Sequence, residues 1–156
     1  MNDQAIMVYI SGYWRDVNRH SILTLPGILF VFESLYNPET RRIKISSTFF
    51  VEHAQNIREG ILLNSQYNSW LNALKPGHEL CYGAGITEKY YIQRAEAAFI
   101  HFLKPLFNRQ KERPFSFETT RIICTGKNDF VGFTFEVKGD YPEYLLKKHT
   151  LHLKSY

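Results

Sequence analysis

The feature that most constrains this chain is a pair of β-rich runs separated by turn chemistry. Pro26-Gly27 punctuates the sequence, and Ile28-Leu29-Phe30-Val31-Phe32-Glu33 follows it as a short apolar, aromatic-rich run of the kind that forms a buried strand. Tyr36-Asn37-Pro38-Glu39-Thr40 then supplies turn residues, and β-branched and aromatic residues resume from Arg41 to Val51. Together they predict a β-hairpin with an enlarged loop. After it the apolar period changes from two to three or four. Ala54, Ile57, Ile61 and Leu62 share one helical face, which predicts a helix from about His53 to Asn64. Gly60 inside that helix costs about 1 kcal/mol against Ala, so packing and not propensity must explain it.

A second helical stretch runs from about Tyr67 to Leu74 and stops at Pro76-Gly77, and Glu79 to Gly83 reads as a third strand. Thr87 is placed to cap a longer helix whose apolar face is Tyr91, Ala95, Ala98, Phe99 and Phe102, ending at Lys104-Pro105. Thr120 to Thr125 and Phe130 to Val137 make a second hairpin around Gly126-Lys127-Asn128-Asp129. Pro142 to Leu153 is amphipathic enough for a C-terminal helix, with Lys147, Lys148 and Lys154 near the end where the helix dipole favours cations. Residues 1–25 mix aromatic and polar groups (Tyr9, Tyr13, Trp14, Arg15, Asp16, His20) and read as an extended arm on the surface. The fold class expected is α+β: a small sheet of one hairpin plus a third strand, flanked by helices, with an added C-terminal hairpin and helix. One domain over 1–156 is expected, made of the arm 1–25, a core 26–108 and an extension 109–156.

Composition sets the function classes. With 44% hydrophobic and 22% charged residues the chain has enough apolar material for a core and too little charge for disorder. No window approaches the roughly 18 apolar residues of a membrane span, and the N-terminus lacks signal-peptide grammar, so no membrane partner and a cytoplasmic location are expected. Cys81 and Cys124 sit among apolar neighbours without metal spacing, which predicts buried thiols and no zinc site. A net charge of +4 permits a polyanion partner without demanding one.

The order of elements and several short motifs resemble the GIY-YIG nuclease superfamily over roughly residues 26–108. Pro26-Gly27-Ile28-Leu29 stands where that family has Gly-Ile-Tyr, and Phe50-Val51-Glu52 where it has Tyr-Ile-Gly. Arg94-Ala95-Glu96-Ala97-Ala98-Phe99-Ile100 and Lys104-Pro105-Leu106-Phe107-Asn108 look like the signature of its last core helix. The resemblance implies metal-dependent hydrolysis of a DNA phosphodiester, with a tyrosine hydroxyl helping to activate water, an arginine neutralising transition-state charge and a glutamate holding one divalent cation.

Carried over residue by residue, most of those roles are vacant. Leu29 and Phe50 lack the hydroxyls, Glu52 replaces the glycine, Gly60 stands where the arginine belongs, and Asn64 replaces the following His or Tyr. Glu96 and Asn108 remain. Rescue would require Arg58 and His53 to take over as cation and base. The expectation is therefore a degenerate, catalytically inactive member that binds DNA or a protein partner and needs no cofactor. Two alternatives stay open: an active, magnesium-dependent endonuclease with a rearranged centre on Glu96, and an interaction domain with no nucleic-acid role. Candidate phosphate contacts are Arg41, Arg42 and Lys44 on the hairpin, Arg58, and the segment Lys104, Asn108, Arg109, Lys111 and Arg113, interleaved with Phe107 and Phe115. Arg15, Arg19 and His20 form a weaker third group.

Overall fold

The computed structural model describes residues 4–109, 113–126 and 133–139. Its elements are β1 (Gln4–Arg15), a 3-10 turn (Asp16–Ser21), β2 (Gly27–Asn37), β3 (Arg42–Ala54), α1 (Ile57–Leu62), α2 (Tyr67–Ala73), β4 (Glu79–Ile86), a 3-10 turn (Lys89–Tyr91), α3 (Ile92–Leu103), β5 (Thr120–Gly126) and β6 (Thr134–Val137). The class is α+β, as the alternation of periods predicts. All six strands form one sheet in the order β3-β2-β4-β1-β5-β6. The predicted hairpin is β2–β3, with Leu29 opposite Glu52 and Val31 opposite Phe50. No described helix is long and apolar enough to cross a membrane.

Two layers of side chains follow from the strand alternation. On one face Ile6, Val8 and Ile10 of β1 meet Ile28, Phe30 and Phe32 of β2, Ile122 and Cys124 of β5, and Phe135 and Val137 of β6, all beneath Ala95, Ala98 and Phe99 of α3. On the other face Leu29, Val31, Phe50, Leu80, Tyr82 and Ala84 pack beneath Ile57 and Ile61 of α1 and Trp70 of α2. Asp16 fastens this second layer: it accepts from Tyr82 Oη at 2.6 Å and from Tyr67 Oη at 2.7 Å. Burial and the Asp16 carboxylate push the Tyr82 phenol far up, so it donates at every ordinary pH.

Three sequence expectations change. Residues 1–25 are not a surface arm, because residues 4–15 form an inner strand, antiparallel to β4 and parallel to β5. The helix expected from His53 starts at Ile57: β3 continues to Ala54, and the Asn56 side chain accepts from Glu59 N–H to cap α1. Thr87 does not cap α3, since its hydroxyl donates to the Met7 carbonyl at 2.9 Å and the helix begins at Ile92. The second hairpin is present as antiparallel β5–β6, whereas most of its turn and the Pro142–Leu153 helix lie outside the described residues.

Gly60 is explained by packing. A Cβ built there would lie 2.8 Å from Leu29 Cδ2 and 3.1 Å from Ala54 Cβ. Gly60→Ala gains about 1 kcal/mol of helix propensity but overpacks a closed site, at a cost of about 1–3 kcal/mol. The expected result in urea unfolding is a net loss of about 1 kcal/mol. The same change made in a Leu29→Ala background should be neutral or stabilising, because the obstructing methyl is gone.

Candidate site along the edge of strand β3

β3 is an edge strand, so its outer N–H and C=O groups need partners that the sheet does not supply. The chain after α3 supplies them. Lys104 adopts a left-handed conformation (φ 50°) and turns the backbone back onto the edge. Leu106 N–H then donates to the Thr48 carbonyl at 3.2 Å and Phe107 N–H to the Phe49 carbonyl at 2.8 Å. Asn108, only 2% exposed, accepts from Val51 N–H at 2.9 Å and donates to the Val51 carbonyl at 2.7 Å. Two residues on, His53 N–H donates to Glu96 Oε2 at 2.5 Å, and the same oxygen lies 2.5 Å from His53 Nδ1. With Glu96 ionised, Nδ1 carries the ring proton.

These groups border a groove of about 1010 Å³. One wall is Ser65, Gln66 and Ser69 around the start of α2, and the other is Leu106, Phe107, Arg109 and Arg113. Phe50, Glu52, His53, Glu96 and Asn108 complete the lining. Glu52 reaches solvent yet is crowded by neighbouring atoms, and its pKa is raised first by that desolvation and then by the Glu96 charge, against a lowering by His53.

Of the positions singled out by the resemblance, Phe50, Glu52, Glu96 and Asn108 line the groove, whereas Leu29, Gly60 and Asn64 are not among its lining residues. Leu29 is 0% exposed in the layer under α1. Phe50 is 6% exposed and packs on Trp70 with ring centroids 5.5 Å apart. Gly60 faces Leu29, so an arginine there meets the core before it meets the groove. Introducing Leu29→Tyr, Phe50→Tyr and Gly60→Arg together is thus not a neutral exchange. Asn64 is spent on the α1–α2 connection, where its side chain accepts from Gln66 N–H at 2.9 Å. Glu96 and Asn108, the two residues that match the resemblance, both border the groove, and the Asn108 amide is engaged by Val51. A divalent cation does not fit this set. Glu96 Oε2 already serves two nitrogens of His53, and the described residues contain no group of three or more His, Cys, Asp or Glu placed to hold a metal.

The basic residues separate as well. Arg109 and Arg113 line the groove. Arg42 and Lys44 line a different hollow on the β2–β3 hairpin together with Leu35 and Tyr36, and Arg41 sits in its turn at φ 57°. Arg58 donates from Nε to the Ile22 carbonyl at 2.7 Å and from its backbone N–H to Leu23, so it straps α1 to the preceding loop. Lys104 is the cap of α3, and Lys111 lies outside the described residues. His53 is the functional group that spacing misplaced: read as the start of a helix, it is a strand residue whose ring and backbone both meet Glu96. Cys81 and Cys124 are buried, and burial pushes both thiols up to about 12, which removes them as nucleophiles.

No protein-family model, curated protein or solved structure matches the chain.

Two outcomes follow from the geometry. Asn108→Ala leaves the Val51 N–H and C=O buried without partners and should cost about 2–6 kcal/mol in urea unfolding, at about 1–3 kcal/mol for each stranded group. Glu52→Gln probes the raised pKa. A folded-state pKa above the unfolded value means that the folded chain holds the proton longer, so the wild type loses stability as pH rises through and above the ordinary carboxylate range. Glu52→Gln should therefore melt above wild type at pH 7, with the gap closing toward pH 4.

Proposed function

We propose that this chain is a GIY-YIG-like domain that works by binding, its metal-dependent nuclease centre no longer assembled. The observation that carries this reading is the closure of the catalytic positions into the core: Leu29 and Gly60 pack on each other, and Phe50 packs on Trp70. Losing an electrostatic stabiliser costs about 10²–10³ in rate, and losing general base assistance about 10²–10⁴ more. What remains is an edge groove whose lining is mixed in sign, with Glu52 and Glu96 set among Arg109, Arg113 and His53. Such a lining suits a polypeptide segment carrying both charges, since a phosphate backbone meets repulsion from the two carboxylates. DNA is the second reading, favoured by Arg109 and Arg113 in the groove and by the net charge of +4.

The test pairs cleavage with binding. Supercoiled plasmid incubated with magnesium or manganese should show no nicking above background, and turnover that disappears in Glu96→Ala would overturn the non-catalytic reading. In fluorescence anisotropy at low salt, duplex and single-stranded DNA should bind weakly or not at all. Glu52→Gln combined with Arg109 and Arg113 intact should then improve DNA binding by several-fold, through loss of like-charge repulsion. Tight DNA binding by the wild type, with a salt slope near −0.9 per phosphate contact, would instead promote the DNA reading.

A further inference from the structure

The returning chain closes the β3 edge only from Thr48 onward, where Leu106 N–H reaches the carbonyl. Toward the hairpin turn the edge stays open: among the described residues no hydrogen bond reaches the outer side of Arg42 to Ser47. An antiparallel ladder turns the N–H and C=O of every second residue away from its partner strand. This stretch therefore presents alternating donors and acceptors to solvent.

Its side chains sort by strand alternation. Arg42 and Lys44 share one face with Leu35, the register partner of Lys44, and all three are exposed. They border a hollow of about 420 Å³ whose lining includes no acidic residue. On the opposite face Ile43 and Ile45 are half-buried against the layer beneath α3. Between Asn37 and Ser47 three cations, Arg41, Arg42 and Lys44, stand against one acid, Glu39 in the turn.

These features specify an occupant. A row of alternating N–H and C=O groups is matched by another extended main chain, whereas a phosphate backbone brings no donors for the carbonyls. A second β3 edge is disfavoured by charge, because it would bring two sets of Arg42 and Lys44 together across the pairing. Leu106 and Phe107 already bond main chain to main chain on this edge, and an added segment would continue the row they begin.

We propose that the open half of the β3 edge binds an extended segment of a partner polypeptide by strand addition, the segment alternating acidic with β-branched apolar residues. Its carboxylates face Arg42 and Lys44, its apolar side chains extend the row of Ile43 and Ile45, and its main chain takes the outward N–H and C=O groups. At about 3.4 Å per residue, Arg42 to Ser47 seats about six residues, or about 20 Å of chain. Binding here uses no residue of the groove, to which β3 contributes Phe50, Glu52 and His53.

Fluorescence anisotropy of the full chain reads this with a fluorescein-labelled hexapeptide of alternating Glu and Val and with its Lys–Val counterpart. The Glu–Val peptide should bind with a dissociation constant of about 100 μM or below, and the Lys–Val peptide at least tenfold more weakly. Arg42→Glu with Lys44→Glu should reverse that preference, with a thermal melt near that of wild type because both side chains are exposed. Two N-methylated Glu–Val peptides separate strand addition from charge attraction alone. Methylating alternate amides removes the donors on one side of the peptide, so one form should lose at least tenfold in affinity and the other should bind like the parent. Equal binding of the two forms overturns the proposal. So does absence of Glu–Val binding up to about 300 μM, or binding that survives Arg42→Glu with Lys44→Glu. Duplex DNA bound at least tenfold more tightly than the peptide, and lost in that same variant, assigns the cluster to nucleic acid and overturns it as well.

Discussion

The arrangement of the groove depends on satisfying the outer edge of β3. An edge strand carries N–H and C=O groups that water or the protein must pair, and an open edge is a template for unwanted strand addition. Here the chain folds back on itself to close it. Asn108 meets both polar groups of Val51 in one side-chain amide, and Glu96 takes the next N–H at His53. For Asn108 to arrive there, α3 must end at Leu103 and the chain must reverse through the left-handed Lys104. For Glu96 to arrive there, α3 must lie on the sheet through Ala95, Ala98 and Phe99. The placement of Arg109, next in the chain after Asn108, follows from the same reversal.

What was legible in the sequence is what short-range pattern encodes. The β2–β3 hairpin, the third strand, α3 and the β5–β6 pair follow from period and turn residues over windows of about a dozen residues. β1 escaped because its two faces both carry large apolar side chains: Ile6, Val8 and Ile10 form a clean alternating row, but Met7, Tyr9, Tyr13 and Trp14 obscure it. Its pairing with β5 bridges more than a hundred residues of chain, a separation that no local pattern records. The start of α1 was misread for the reverse reason. Ala54 and Ile57 do share a helical spacing, but the backbone N–H of His53 is claimed by Glu96, and strand pairing with Gly27 and Ile28 carries β3 through Ala54.

The site was legible as positions and not as roles. The resemblance singled out Gly60, Leu29 and Phe50 separately, while their contacts show that Gly60 and Leu29 are one packing unit and that Phe50 belongs with Trp70. Burial of Leu29 stabilises the fold by about 1.5–3 kcal/mol, and the glycine opposite lets α1 approach closely enough to collect that burial. Apolar closure of this kind places no hydroxyl or guanidinium group at these three positions. Glu96 and Asn108 have a structural task of their own: without them β3 has unpaired backbone groups. Their match to the nuclease signature is therefore weak evidence for hydrolysis.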